Sequence, residues 1–174
     1  MKKVALLTLT GVLLISCKTS MTYESLLSKM KSYSGETIMN NNYSNGTYSE
    51  EGFFLDGDKV TLYLNGTSAG QYDDYMFITL PNSTSVPNSY RCIYHWENYS
   101  SLSTYEESAS FYISNNYSSS TKVVFDTYTG DSSLKTYAQS LAKSSVDLLL
   151  LSFRLWVEDE LNINYKSIGI FPNI

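Results

Sequence analysis

The chain has 174 residues, of which 43% are hydrophobic and 14% aromatic, and it contains 16 tyrosines. This length fits one globular domain and excludes a large multidomain enzyme, and the apolar content argues against intrinsic disorder. The formal net charge of −5 provides no basic surface for phosphate groups, so the composition argues against nucleic acid as a partner.

The first residues have the pattern of an export signal. Lys2 and Lys3 precede an apolar run over residues 4–15, as in secretory signal peptides. The run is shorter than the roughly 20 apolar residues that a transmembrane helix needs, and polar residues follow it from Lys18. We therefore expect residues 1–16 to be a signal peptide that is removed.

The end of this run, Leu14-Ile15-Ser16-Cys17, resembles the lipobox of bacterial lipoproteins. The resemblance is confined to the N-terminus. It implies cleavage by signal peptidase II before Cys17, a diacylglycerol thioether on its sulfur and acylation of the new amino group. Because each buried methylene contributes about 0.8 kcal/mol, two or three acyl chains would hold the protein stably on a membrane.

The same resemblance implies where the mature protein is located. It would be lipid-anchored on the extracytoplasmic face of the cell membrane or outer membrane, with residues 17–22 forming the lipidated cysteine and a tether. Removing Lys2 and Lys3 would leave the mature chain more acidic, so lipid and not a polybasic patch would hold it there. The alternative is an ordinary secretory signal that happens to end in a cysteine.

Cysteine usage excludes a disulfide framework. If Cys17 is lipidated, Cys92 is the remaining one of the 2 cysteines and has no partner within the chain. Cys92 lies in a predicted strand, where we expect a buried and inert thiol in preference to a reactive nucleophile.

Residues 23–174 are expected to form one α+β domain. Leu26, Leu27 and Met30 recur at helical spacing and predict a short helix over residues 23–33, which Gly35 ends. Short apolar or alternating runs then predict an antiparallel meander of about six strands joined by hairpins. These runs cover residues 47–55, 59–64, 74–80, 89–97, 109–114 and 121–128. The Asp56-Gly57-Asp58 turn between the first two has too few oxygen ligands for calcium.

A long helix is predicted to follow Asp131 or Ser132. Its second half, residues 146–157, is almost continuously apolar, too short to cross a membrane and expected to be buried on more than one side at the centre of the core. Residues 165–174 are expected to be a short return strand or a packed tail. The inward stripe of this helix is expected to contain Leu134, Ala138, Leu141, Ser145, Leu148, Ser152 and Leu155.

Few residues could carry catalysis. His95 is the single histidine, and alternation places it beside Glu97 on one strand face, but two ligands do not make a metal site. The sequence leaves a Ser-His-Asp arrangement open, yet it contains no Gly-x-Ser-x-Gly elbow, Walker loop or Gly-x-Gly-x-x-Gly turn. The acidic pairs 73–74 and 106–107 would point to opposite sides of an extended chain. We therefore expect no enzyme, no metal and no cofactor.

The aromatic excess is the feature that suggests binding. Alternation places aliphatic side chains on one face of the sheet and aromatic ones on the other. A second layer covering that aromatic face is the structural alternative. The ligand-binding candidates are Tyr63, Tyr75, Phe77 and Tyr112, with Tyr94 and Trp96 as further members.

Three functions are compatible with these patterns. The first is a non-enzymatic lipoprotein that presents the aromatic face to an extracytoplasmic protein or polysaccharide. The second rests on a topological resemblance over residues 23–160 to the half-barrel lipoprotein carriers of bacterial envelopes, in which residues 148–151 would line a cavity for lipid or other apolar cargo. The third is an envelope-associated enzyme whose chemistry would require His95.

Overall fold

The fold has two layers, a seven-stranded antiparallel sheet and a long helix packed on one of its faces. The computed structural model describes residues 23–33, 35–68, 72–80, 89–100, 103–114 and 116–168. The predicted signal peptide, lipobox and tether lie outside the described residues, as does the chain after residue 168. In the part of the chain that is described, every helix is too short or too polar to span a bilayer.

The described residues form two α-helices, three 3-10 turns and seven β-strands. Helix α1 (Tyr23–Met30) continues into a 3-10 turn, and a second 3-10 turn (Ser132–Leu134) leads into helix α2 (Lys135–Asp159). A third 3-10 turn, Tyr165–Ile168, follows α2. The strands are β1 (Gly35–Ser44), β2 (Thr47–Asp56), β3 (Lys59–Ser68), β4 (Tyr72–Thr79), β5 (Ser89–Ser100), β6 (Ser103–Ser114) and β7 (Phe125–Thr129).

The predicted α+β meander is confirmed, with one strand more than expected. Each strand pairs with the next in sequence, in the order β1 to β7. The additional strand is β1, whose Asn-rich sequence has little apolar alternation because it is an edge strand with mostly exposed side chains. It is joined to β2 by Asn45 and Gly46, which adopt φ angles of 54° and 81°, as in the two-residue hairpin turns that favour Asn-Gly.

Helix α1 packs as its sequence predicts. Leu26, Leu27 and Met30 are buried, although the α-helix ends at Met30, earlier than expected. The ring of Tyr33 meets that of Trp156 edge-on at 5.1 Å between centroids. Helix α1 therefore docks near the C-terminal end of α2.

Helix α2 covers the sheet with a different stripe from the predicted one. Leu134, Leu148 and Leu155 are exposed, so the predicted stripe is wrong at these positions. Leu151 is exposed as well, so the expectation that the leucine run is buried on more than one side is also wrong. The helix contacts β1 to β4 through a face rotated from the predicted one. This buried face consists of Ala138, Ala142, Val146, Leu149, Leu150, Ser152, Phe153, Trp156 and Val157.

The core lies between α2 and the inner face of the sheet. Phe53 of β2 packs edge-on against Trp156 at 4.8 Å between ring centroids. After α2 the residues Tyr165–Ile168 form a 3-10 turn, with Tyr165 buried against Phe153. The rest of the predicted return strand or packed tail lies outside the described residues. Cys92 is fully buried, and burial raises the pKa of its thiol, which agrees with the prediction of an inert cysteine.

Candidate functional site

The predicted aromatic face exists, and it is the face of the sheet opposite to α2. Tyr63 and Phe77 are register partners on β3 and β4, and Phe77 in turn lies opposite Ile93 on β5. Tyr75 shares this side, because it lies two residues before Phe77 on the same strand. Tyr112, which is two residues beyond the partner of Ile93 on β6, also belongs to it.

Several apolar side chains on this side are accessible to solvent. Tyr112 is 58% exposed, Phe54 41% and Ile93 40%, while Tyr75 and Phe77 are half-buried. Exposed apolar groups that cluster, as opposed to standing singly, mark interaction surfaces. We call this surface the open face and define it by Ile38, Phe54, Tyr63, Tyr75, Phe77, Ile93 and Tyr112.

Tyr63 lies on the open face but is not available to a ligand, since it is only 4% exposed. Its ring stacks with Phe54 at 4.7 Å between centroids and lies over Gly52, where a Cβ atom would stand 2.5 Å from the ring. Its hydroxyl shares its proton between Glu36 Oε1, at 2.8 Å, and Glu50 Oε1, at 2.9 Å. Burial and these two carboxylates raise the pKa of Tyr63. Tyr63 therefore packs against Phe54 and stabilises the open face, whereas the ring of Phe54 is the one that a ligand can contact.

Tyr94 and Trp96 do not join the open face, so this part of the predicted site is wrong. Tyr94 pairs with Met76 in register and is buried on the face covered by α2. Its hydroxyl donates to Glu107, 3.4 Å away. Trp96 is half-buried against the core on the same side. The reason is strand parity, because both residues alternate with Ile93 and His95 and therefore project to the opposite side.

A second group of side chains lies at one end of the open face. His95 Nε2 is 3.1 Å from Glu97 Oε1, which confirms the predicted placement of these two residues on one strand face. Glu106 of β6 also reaches His95, with its Oε1 3.9 Å from Nδ1. The sequence prediction missed Glu106 because its proximity depends on the β5–β6 register, in which it lies directly opposite Glu97. The ring of Tyr75 lies 5.9 Å from that of His95.

The leucine run does not line one cavity. Leu149 and Leu150 are buried in the core, whereas Leu148 and Leu151 point to solvent. The cleft beside Leu148 has a volume of about 210 Å³ and is open to solvent, which is below the roughly 300–1,000 Å³ of typical ligand pockets. The exposed leucines and the small cleft therefore support a carrier of apolar cargo less well than the open face supports a binding module.

Comparison of the chain with protein-family models, curated proteins and solved structures finds no match. The fold defines the class as an α+β domain with a seven-stranded meander. Any function must therefore be argued from the site itself.

Proposed function

We propose that this protein is a lipid-anchored, extracytoplasmic binding module without enzymatic activity, and that the open face binds an envelope protein or polysaccharide. The observation that carries the proposal is the exposure of Phe54, Ile93 and Tyr112 on one side of the sheet, opposite to the helix. In antiparallel sheets the face away from the core is usually polar. Apolar side chains there favour a partner that removes them from water.

The side chains of the open face suit a flat contact. Neighbouring strands are about 4.8 Å apart, so Tyr63, Phe77 and Ile93 form a continuous row across β3, β4 and β5. Phenylalanine and tyrosine provide large contact areas and lose little rotamer freedom on binding. Glu36 and Glu50 lie beside Phe54 and would accept hydrogen bonds from sugar hydroxyls or from basic side chains.

The anchor is supported by the sequence pattern at residues 14–17. A short tether would join a lipidated Cys17 to α1, which begins at Tyr23. Five extended residues span at most about 18 Å, so the domain would be held close to the membrane surface. Intact-mass measurement of the protein from its native host tests this part, because the proposal requires a mature chain that begins at an acylated Cys17.

Binding can be tested with a matched pair of tyrosine variants. Tyr112 on the open face is 58% exposed and Tyr137 on α2 is 57% exposed, so their truncation removes similar accessible surface from two different sides. The titrants are purified cell-wall polysaccharide, peptidoglycan fragments and individual purified envelope proteins. We expect Tyr112→Ala to weaken binding of one titrant at least tenfold and Tyr137→Ala to leave it unchanged.

Two results would contradict the proposal. The first is equal loss of binding in the two tyrosine variants, because it would place the contact outside the open face. The second is the absence of binding to every titrant when circular dichroism shows that the chain is folded. Separate titrations with polysaccharide and with envelope proteins show which of the two classes of partner binds.

A further inference from the structure

The cluster at the end of the open face combines one imidazole with two carboxylates. His95 and Glu97 project from β5, and Glu106 projects from β6. One ligand atom from each of the three lies within 4.8 Å of the other two. All three are accessible in part, with His95 and Glu97 half-buried and Glu106 exposed.

The strand register places like charges next to one another here. Glu97 on β5 lies directly opposite Glu106 on β6. Like charges directly opposite in a sheet are destabilising, and a bound cation would remove this repulsion.

We propose that His95, Glu97 and Glu106 bind a divalent transition-metal ion, of which Zn²⁺ fits best. Zinc ligands at about 2.0–2.2 Å from the metal stand about 3.4 Å apart in a tetrahedral shell. His95 Nε2 and Glu97 Oε1 are 3.1 Å apart, which is close to this spacing. One ligand atom from each of the three residues lies within 4.8 Å of the other two, so a rotation of the exposed Glu106 side chain can complete the shell around one imidazole nitrogen. An imidazole ligand favours zinc and similar metals over calcium and magnesium, which prefer shells of oxygen atoms.

The geometry leaves one coordination position free. Three protein ligands occupy three corners of a tetrahedron, and the fourth is open to water or to a ligand atom from a partner. The ring of Tyr75 lies 5.9 Å from that of His95, so the cluster borders the open face. Metal binding itself does not require the proposed function, because it involves only these three side chains and the ion.

The single histidine makes a site-specific measurement possible. In the full chain carrying no histidine tag, isotope-labelled histidine gives one set of imidazole NMR signals, from His95. After treatment with a chelator, the protein is titrated with Zn²⁺, and separately with Mg²⁺ and Ca²⁺. We expect a saturable change of the imidazole signals at one equivalent of zinc, and no comparable change with magnesium or calcium.

Charge-neutral variants of the same shape test the carboxylates. Glu97→Gln and Glu106→Gln should each weaken zinc binding at least tenfold, while Asp126→Asn, an exposed acid on β7 outside the cluster, should leave it unchanged. The proposal is overturned if excess zinc does not change the imidazole signals of the folded chain. It is also overturned if both glutamine variants bind zinc as the unmodified chain does, or if magnesium and calcium bind equally well.

Discussion

Replacing Glu51 by glutamine is expected to stabilise the protein, and to do so more at pH 8 than at pH 5. Glu51 lies on the face of β2 that α2 covers and is only 1% exposed. Asn40 and Ser152 donate hydrogen bonds to its carboxyl group. Its Oε2 atom has no hydrogen-bond partner within the described residues. Burial raises the pKa of Glu51, and the two hydrogen bonds offset part of that rise.

The size of the effect follows from this environment. A buried polar group without a partner costs about 1–3 kcal/mol, and more when it is charged. Glutamine keeps the shape and one accepting oxygen but removes the charge, and its amide also lacks a partner at the Oε2 position. We therefore expect a gain of about 1–2 kcal/mol at pH 8, or about 2–8 °C in the melting temperature of a domain of this size.

The pH dependence has a definite sign. Because the pKa of Glu51 is higher in the folded chain than the reference value of 4.5, the protonated carboxyl favours the folded state. Its contribution is complete below about pH 4.5 and is lost as the pH rises through the folded-state pKa. Glutamine cannot titrate. The stability difference between the variant and the unmodified chain should therefore grow as the pH rises from about 4.5.

Urea unfolding followed by tryptophan fluorescence at pH 5 and pH 8 measures this difference. Asp126→Asn removes an exposed acid and is the control, since it should change stability little at either pH. The reasoning would be refuted if Glu51→Gln were less stable than the unmodified chain at pH 8, or if its gain were equal at the two pH values.

Three further predictions concern packing. Gly52→Ala should destabilise the fold by about 1–3 kcal/mol in thermal or urea unfolding, because its Cβ would stand 2.5 Å from the Tyr63 ring. Cys92 should not react with a thiol reagent in a folded Cys17→Ser chain and should react once urea unfolds it, since the thiol is buried and its pKa is raised. Leu150→Ala should cost about 2–5 kcal/mol in unfolding measurements, whereas Leu151→Ala should cost under about 1 kcal/mol because Leu151 points to solvent.

The sheet could be predicted wherever one face is buried. Strands β3 and β4 alternate between aliphatic inner residues and aromatic outer residues, and the structure confirms this for Met76, Ile78 and their neighbours. Strand β1 could not be predicted from alternation because it lies at the edge and leaves most of its side chains in water. The Asn45-Gly46 turn was the available sequence signal for it.

The phase of α2 could not be predicted from hydrophobicity alone. Between Val146 and Val157 apolar residues occupy almost every position, so several rotations of the helix would bury a similar apolar area. The choice depends on the fit to the sheet. Ala138 and Ala142 are fully buried, and small residues at these positions allow the helix to approach the strands closely. Such complementarity is a property of the assembled layers.

The candidate sites show the same division between local and long-range information. His95 and Glu97 are two residues apart, so alternation sufficed to place them together. Glu106 joins them only through the β5–β6 register. Glu51 gives no sequence signal of burial, since it stands in the polar run of residues 48–52. It is buried because α2 lies over that part of β2. Contacts between separate elements therefore account for what sequence patterns missed.

The apolar surface on the open face has a polar boundary, and this boundary favours a binding function. One helix about 10 Å wide covers only one face of a seven-stranded sheet. A sheet face that is only solvated is usually polar, with apolar side chains standing singly. It is polar toward β7, where Ser110 and Thr127 lie side by side with their hydroxyl oxygens 2.7 Å apart. Around Phe54 and Ile93 it is apolar and exposed. An apolar patch that is surrounded by polar residues is typical of a contact surface. A general excess of aromatic residues would spread apolar side chains over the whole face and would not produce such a boundary.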